Sequence, residues 1–169
     1  VASPLTDLTA KGCGCEVPWG GSQQQAFDKL KQLLSQKPIL KLPDLKRPIF
    51  LQTDASDTGL GAVLLQEHDG VKHPIAYASR KLLPRECNYT VGEKECLAVI
   101  WAVSSKFSRY LLDNPFILET DHRPLECLNS GNTTNKRIMR WGLILQSYKF
   151  KVQYIKGTDN LIADYLSRV

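Results

Sequence analysis

In Pro48-Ile49-Phe50-Leu51-Gln52-Thr53-Asp54-Ala55-Ser56-Asp57-Thr58-Gly59-Leu60-Gly61-Ala62-Val63-Leu64-Leu65-Gln66, two apolar runs flank a polar break that carries glycine. Runs of this length and composition read as strands, Ile49 to Asp54 and Gly61 to Gln66. Asp69-Gly70 is a hairpin signal leading to a third strand, His73 to Ser79. Downstream, Thr90 to Leu112 has the period of one long helix, with Leu97, Ile100, Trp101, Phe107, Tyr110 and Leu111 as its apolar stripe. Phe116 to Asp121 reads as a fourth strand, Pro124 to Leu128 as a short helix, Asn129 to Asn135 as a polar loop, and Arg137 to Ser147 as a helix. Tyr148 to Tyr154 alternates as a fifth strand, and Asn160 to Arg168 closes as a short helix. This order predicts an α/β domain with a five-stranded mixed sheet flanked by helices.

Upstream, the pattern differs. Residues 1 to 21 are irregular and glycine-rich, and Ser22 with Gln25 has the form of a capping box. Ala26, Phe27, Leu30, Leu33 and Leu34 follow at helical spacing, and Pro38 to Pro43 reads as an extended connector. The expected division is a tether with one helix, residues 1–46, and a main domain, residues 47–169.

The 169 residues suit one globular domain with a short appendage, and 43% hydrophobic with 23% charged residues excludes disordered and fibrous classes. Leu97 to Val103, the longest apolar run, is far short of the roughly 20 residues of a membrane span. Val1 to Asp7 lacks the basic-then-apolar form of a secretion signal. The five cysteines (Cys13, Cys15, Cys87, Cys96, Cys127) are odd in number and complete no zinc pattern with His68, His73 or His122. They read as reduced thiols of an intracellular protein, cytoplasmic or nuclear. A net charge of +5 leans weakly toward a polyanionic partner.

Four acids stand at informative places: Asp54 and Asp121 at strand ends, Glu95 early in the long helix, and Asp164 in the final one. They lie 41, 26 and 43 residues apart, so only tertiary structure can gather them. Gathered carboxylates repel unless cations neutralise them. An all-oxygen set favours Mg²⁺ or Mn²⁺ over zinc. A pair of such ions about 4 Å apart can activate water and stabilise a leaving oxygen in phosphodiester hydrolysis.

Thr53-Asp54-Ala55-Ser56-Asp57-Thr58-Gly59-Leu60-Gly61-Ala62-Val63-Leu64, Glu93-Lys94-Glu95-Cys96-Leu97-Ala98-Val99, Glu119-Thr120-Asp121-His122-Arg123-Pro124-Leu125 and Asn160-Leu161-Ile162-Ala163-Asp164-Tyr165-Leu166-Ser167-Arg168 occur in that order. The set resembles the ribonuclease H domain of gypsy-type LTR-retrotransposon polyproteins, and the stretch from Pro4 to Lys31 is similar to the segment that joins the polymerase to that domain. The resemblance implies a ribonuclease H-like fold with an N-terminal helical extension, and hydrolysis of the RNA strand of an RNA–DNA hybrid with two Mg²⁺, for which Mn²⁺ substitutes. It assigns catalysis and metal binding to Asp54, Glu95, Asp121 and Asp164, with Asp54 bridging both ions. The implied partners are the hybrid and the polymerase domain of the same polyprotein, and the implied location is a cytoplasmic retroelement particle or the nucleus. Nothing in the sequence sets the oligomeric state.

Glu93 competes with Glu95 for the second position. The two stand about 200° apart around a helix and cannot both face the metals; Glu95 matches the family's second glutamate. Many ribonucleases H carry a histidine in the loop before the last helix, whereas Tyr154 to Asn160 contains none. Proton handling is therefore left to auxiliary candidates, His122 and Tyr154, with Lys156 behind them. A basic helix face, Lys136, Arg137 and Arg140, is the expected substrate contact, and Arg80, Lys81, Lys149 and Lys151 could extend it.

Three rival readings weigh less. The first is an inactive remnant serving as a structural or nucleic-acid-binding module, which the complete set of acids opposes. The second is an integrase or transposase core, whose acids run Asp, Asp, Glu rather than in the order found here. The third is an aspartic protease, suggested by Asp57-Thr58-Gly59, which needs an apolar strand directly before the motif and finds polar Thr53-Asp54-Ala55-Ser56 instead.

Overall fold

A computed structural model describes residues 3–6, 8, 17–35, 40–44, 46–121 and 135–168, and the chain divides into two compact units, 1–39 and 40–169. The first unit holds α1 (Ser3–Thr6) and α2 (Gly21–Ser35). The capping expected at Ser22 is shifted. Here α2 starts at Gly21, and the Gln23 side chain accepts the Gly20 N–H at 3.1 Å, so glutamine rather than serine serves the helix start.

The second unit holds β1 (Ile49–Ala55), β2 (Gly59–His68), β3 (Val71–Lys81), α3 (Pro84–Cys87), α4 (Val91–Trp101), α5 (Ser108–Leu111), β4 (Phe116–Thr120), α6 (Lys136–Leu145), β5 (Phe150–Tyr154) and α7 (Leu161–Ser167). The sheet order is β3-β2-β1-β4-β5. The first three strands pair antiparallel, while β4 runs parallel to both β1 and β5, which makes the expected five-stranded mixed sheet. Asp69 and Gly70 form the two-residue hairpin loop, both with positive φ (54° and 77°). Pro74 sits on the edge strand β3, where a missing N–H costs no ladder bond, and a register shift lies beside it.

The main core lies between one sheet face and α4, with Ile49, Leu51, Leu60, Ala62 and Leu64 meeting Leu97, Ala98, Val99 and Val103. Helix α4 is buried almost all round, Glu93 to Trp101, because the sheet and α6 both cover it. The other face carries a smaller cluster of Phe50, Val63 and Leu65, with Leu166 of α7 packed on it.

The single helix expected over Thr90 to Leu112 is broken. A π-helical turn, Ala102–Lys106, separates α4 from α5, and the Phe107 N–H donates to the Ala102 carbonyl at 2.8 Å. The extra residue keeps both Phe107 and Leu111 in the core, and Ser104 Oγ bonds back to the Ile100 carbonyl at 2.6 Å within the same bend. Helix α3 was not foreseen. The expected short helix at 124–128 and most of the loop at 129–135 lie outside the described residues. No helix among the described residues is long and apolar enough to cross a membrane.

Candidate active site

Strand pairing places two of the acids. Gln52 of β1 lies opposite Glu119 of β4 in a parallel ladder, so Asp54 and Asp121, each two residues further on, leave the same end of the sheet toward the same face. The mouth of an open sheet at the carboxyl ends of parallel strands is where α/β folds hold ligands.

Helix α7 brings Asp164 to that end, and side chains from the β1–β2 turn and from β3 dock it there. Ser56 Oγ donates to the Ser167 carbonyl (2.6 Å) and Ser79 Oγ to the Leu166 carbonyl (2.6 Å). Asn160, buried just ahead of the helix, donates through Nδ2 to the Thr53 carbonyl (3.0 Å) and to Asp121 Oδ1 (3.2 Å). One amide thus ties β1, an acid of the site and the start of α7. Gly61 permits the close approach: a Cβ there would stand 2.2 Å from the Ala163 carbonyl oxygen and 2.6 Å from the Ser167 nitrogen.

Glu95 arrives from α4. Its carboxylate is buried and accepts the Ala55 N–H, while Oε2 has no hydrogen-bond partner. Burial first, then the charges of Asp54 and Asp121, push its pKa up to about 8. Asp54 is raised as well, by burial and by Asp164 and Asp121, with the Ser167 hydroxyl and Arg168 opposing the rise. Asp121 and Asp164 thus bear on Asp54, and Asp54 and Asp121 bear on Glu95. Among the described residues, however, no group of three or more His, Cys, Asp or Glu side chains is closed tightly enough to be a formed metal site.

Glu93 and Glu95 have different surroundings. Glu93 is the third residue of α4, and its carboxylate accepts the Thr90 N–H (3.0 Å) while its own N–H donates to Thr90 Oγ1 (3.3 Å), a reciprocal cap. It also receives Asn135 Nδ2 (2.9 Å) and Arg137 Nη1 (2.6 Å), which hold its carboxyl below the usual range, Asn135 contributing most. Glu93 links α4 to α6; Glu95 faces the other acids.

The basic helix is divided in use. Arg137 pairs with Glu93 and lies 4.0 Å over the Tyr89 ring, so its guanidinium is engaged within the fold. Lys136 and Arg140 are exposed on α6. Trp141 packs against the main core with Tyr89 beside it. Tyr154 ends β5 opposite Thr120, one residue before Asp121, while His122 lies outside the described residues. The Asp57-Thr58-Gly59 tripeptide is the β1–β2 turn. Ser56 Oγ accepts the Thr58 and Gly59 N–H groups, and exposed Asp57 pairs with Lys94 Nζ at 2.8 Å.

Sequence reading missed Asn160, Gly157 and Arg168. A Cβ on Gly157 would lie 3.2 Å from Asp121 Oδ2, so the turn before α7 runs against that carboxylate. Arg168 pairs with Asp164. Asn160 and Arg168 lie inside the last of the four motifs, but nothing in their spacing marks them as partners of the acids.

Residues 44–148 match the RNase H-like domain found in reverse transcriptase. The chain belongs to that family. The RNase H-like domain is similar to the retrovirus-related Pol polyprotein from transposon 297 of Drosophila melanogaster, 45% identical over 86% of this chain. It is also similar to the Tf2-3 polyprotein of Schizosaccharomyces pombe, 41% identical over 98% of this chain. It spans 13% of the length of each of these relatives. Among solved structures, a foamy viral protease-reverse transcriptase in complex with dsDNA matches 92% of this chain and 33% of its own (TM-score 0.67, 19% identity). LC11-RNase H1 in complex with RNA/DNA hybrid matches 70% of this chain and 92% of its own (TM-score 0.55, 16% identity). At these identities the likeness establishes the ribonuclease H fold.

Proposed function

We propose that this domain hydrolyses the RNA strand of RNA–DNA hybrids as part of a retroelement reverse transcriptase, with Asp54, Glu95, Asp121 and Asp164 holding two Mg²⁺ or Mn²⁺ ions. The observation that carries the reading is the convergence of two strand ends and two helices on Asp54 and Glu95, whose carboxyls are pushed up by burial and by neighbouring acids. The family match and the hybrid bound by LC11-RNase H1 support the substrate class.

The donor set fits hard divalent cations. The buried side-chain oxygens without a partner among the described residues are Thr53 Oγ1, Glu95 Oε2 and Asn160 Oδ1, all in or beside this site. The excess of negative charge is what a cation relieves. When bound, such ions supply an activated water and charge neutralisation at the leaving oxygen. The residues do the rest. Glu95, anchored by the Ala55 N–H, presents its free Oε2 from α4, and Asn160 orients Asp121 by donating from Nδ2 to the carboxylate's Oδ1. Lys136 and Arg140 offer exposed cations on a helix tied to the start of α4, where backbone phosphates of a duplex can be held without reading sequence.

The test is a labelled RNA–DNA hybrid incubated with the protein and Mg²⁺ or Mn²⁺, beside Asp54→Asn. Cleavage of the RNA strand by the wild type, reduced about a hundredfold or more in the variant, is expected. Equal cleavage by both, or hybrid binding without cleavage in either metal, overturns the reading.

A further inference from the structure

Arg168 follows the last turn of α7 and donates from Nε (3.0 Å) and Nη2 (2.6 Å) to a single oxygen, Asp164 Oδ1. Its attraction also reaches Asp54. Asp54, Asp164, Arg168, Ser56, Asp57 and Lys94 line one cleft of about 320 Å³. The two cations of that cleft are not equivalent. Lys94 is buried and committed to Asp57 on the turn, whereas the Arg168 side chain is 67% exposed and committed to an acid of the site.

Two guanidinium hydrogens on one carboxylate oxygen make a firm orientation but a weak hold, because both groups face solvent and water competes for them. A divalent ion reaching Asp164 meets that guanidinium first. It must displace the arginine or share the carboxylate with it, and in either case like charges oppose its approach. We propose that Arg168 is a displaceable counter-ion: it occupies Asp164 until a divalent cation takes that carboxylate, and it lowers the affinity of the site for that cation. Arg168 is thus a positioning residue acting through Asp164, and the inference rests on the metal-binding reading above.

The experiment is calorimetric titration of the full chain with MnCl₂ and MgCl₂, without nucleic acid, for wild type, Arg168→Gln, Arg168→Lys and Asp164→Asn. Arg168→Gln should bind about threefold more tightly at low salt, with Arg168→Lys between it and wild type, and the gap should narrow as KCl screens the charge. Asp164→Asn should weaken binding. Binding that Asp164→Asn weakens but neither Arg168 variant strengthens overturns the counter-ion role alone, since it leaves the metal reading intact. Absence of ion binding by the wild type, or binding indifferent to Asp164→Asn, overturns the metal reading and this inference with it.

Discussion

At Glu95, burial and the charges of Asp54 and Asp121 act in one direction, and the pKa of about 8 stands well above the ordinary 4.5. Between those values the folded state holds a proton that the unfolded chain has released, so stability falls as pH rises through the window. The shift at Asp54 has the same sign. In chelator, the unfolding free energy from urea titration, and the midpoint with it, should drop from pH 5 to pH 8, the free energy by at most about 1.4 kcal/mol per pH unit from Glu95. Glu95→Gln should flatten much of that slope, and Mn²⁺ added at pH 8 should restore the wild-type midpoint. A wild-type midpoint that climbs over this range would contradict the assignment. That Asp54, Glu95, Asp121 and Asp164 would lie near one another could be expected from the sequence, because each sits at a strand end or within a motif of the family. Asn160 and Gly157 were not, since an amide linking Thr53 to Asp121 and a turn pressed on a carboxylate exist only once the chain has folded.

Among the elements, β1, β2, β4 and β5 were readable from apolar runs and alternation, and the β2–β3 hairpin from Asp69-Gly70. The break in the long helix was hidden, because the stripe from Leu97 to Leu111 keeps helical spacing through the π turn and only the core decides where the extra residue goes. The role of Glu93 was equally hidden, as its partners Asn135 and Arg137 are more than 40 residues away. Helix α7 depends on Gly61, where any side chain collides with helix backbone rather than with a flexible group. Gly61→Ala should cost about 2–3 kcal/mol in denaturation and speed amide exchange in α7 more than in α4. Equal exchange in both helices would show that α7 does not rest on this contact.

At the scale of the molecule, residues 40–169 form a unit with its own core, sheet and four acids. That fragment should fold cooperatively by itself and cleave hybrid within about tenfold of the full chain, as read by near-ultraviolet circular dichroism and the hybrid assay. A fragment lacking tertiary signal would show that residues 1–39 are part of the folding unit. The contacts that seat α7 join residues 111, 87 and 107 positions apart. Closures of that length cost more chain entropy than the local hairpin and helix contacts, so the docking of α7 is expected to follow them. On that order Asp164 is the last of the four acids to arrive. While the chain is being made, the sheet can assemble before Asp164 joins the other acids, and an incomplete chain carries a folded sheet whose candidate site lacks one of its four carboxylates.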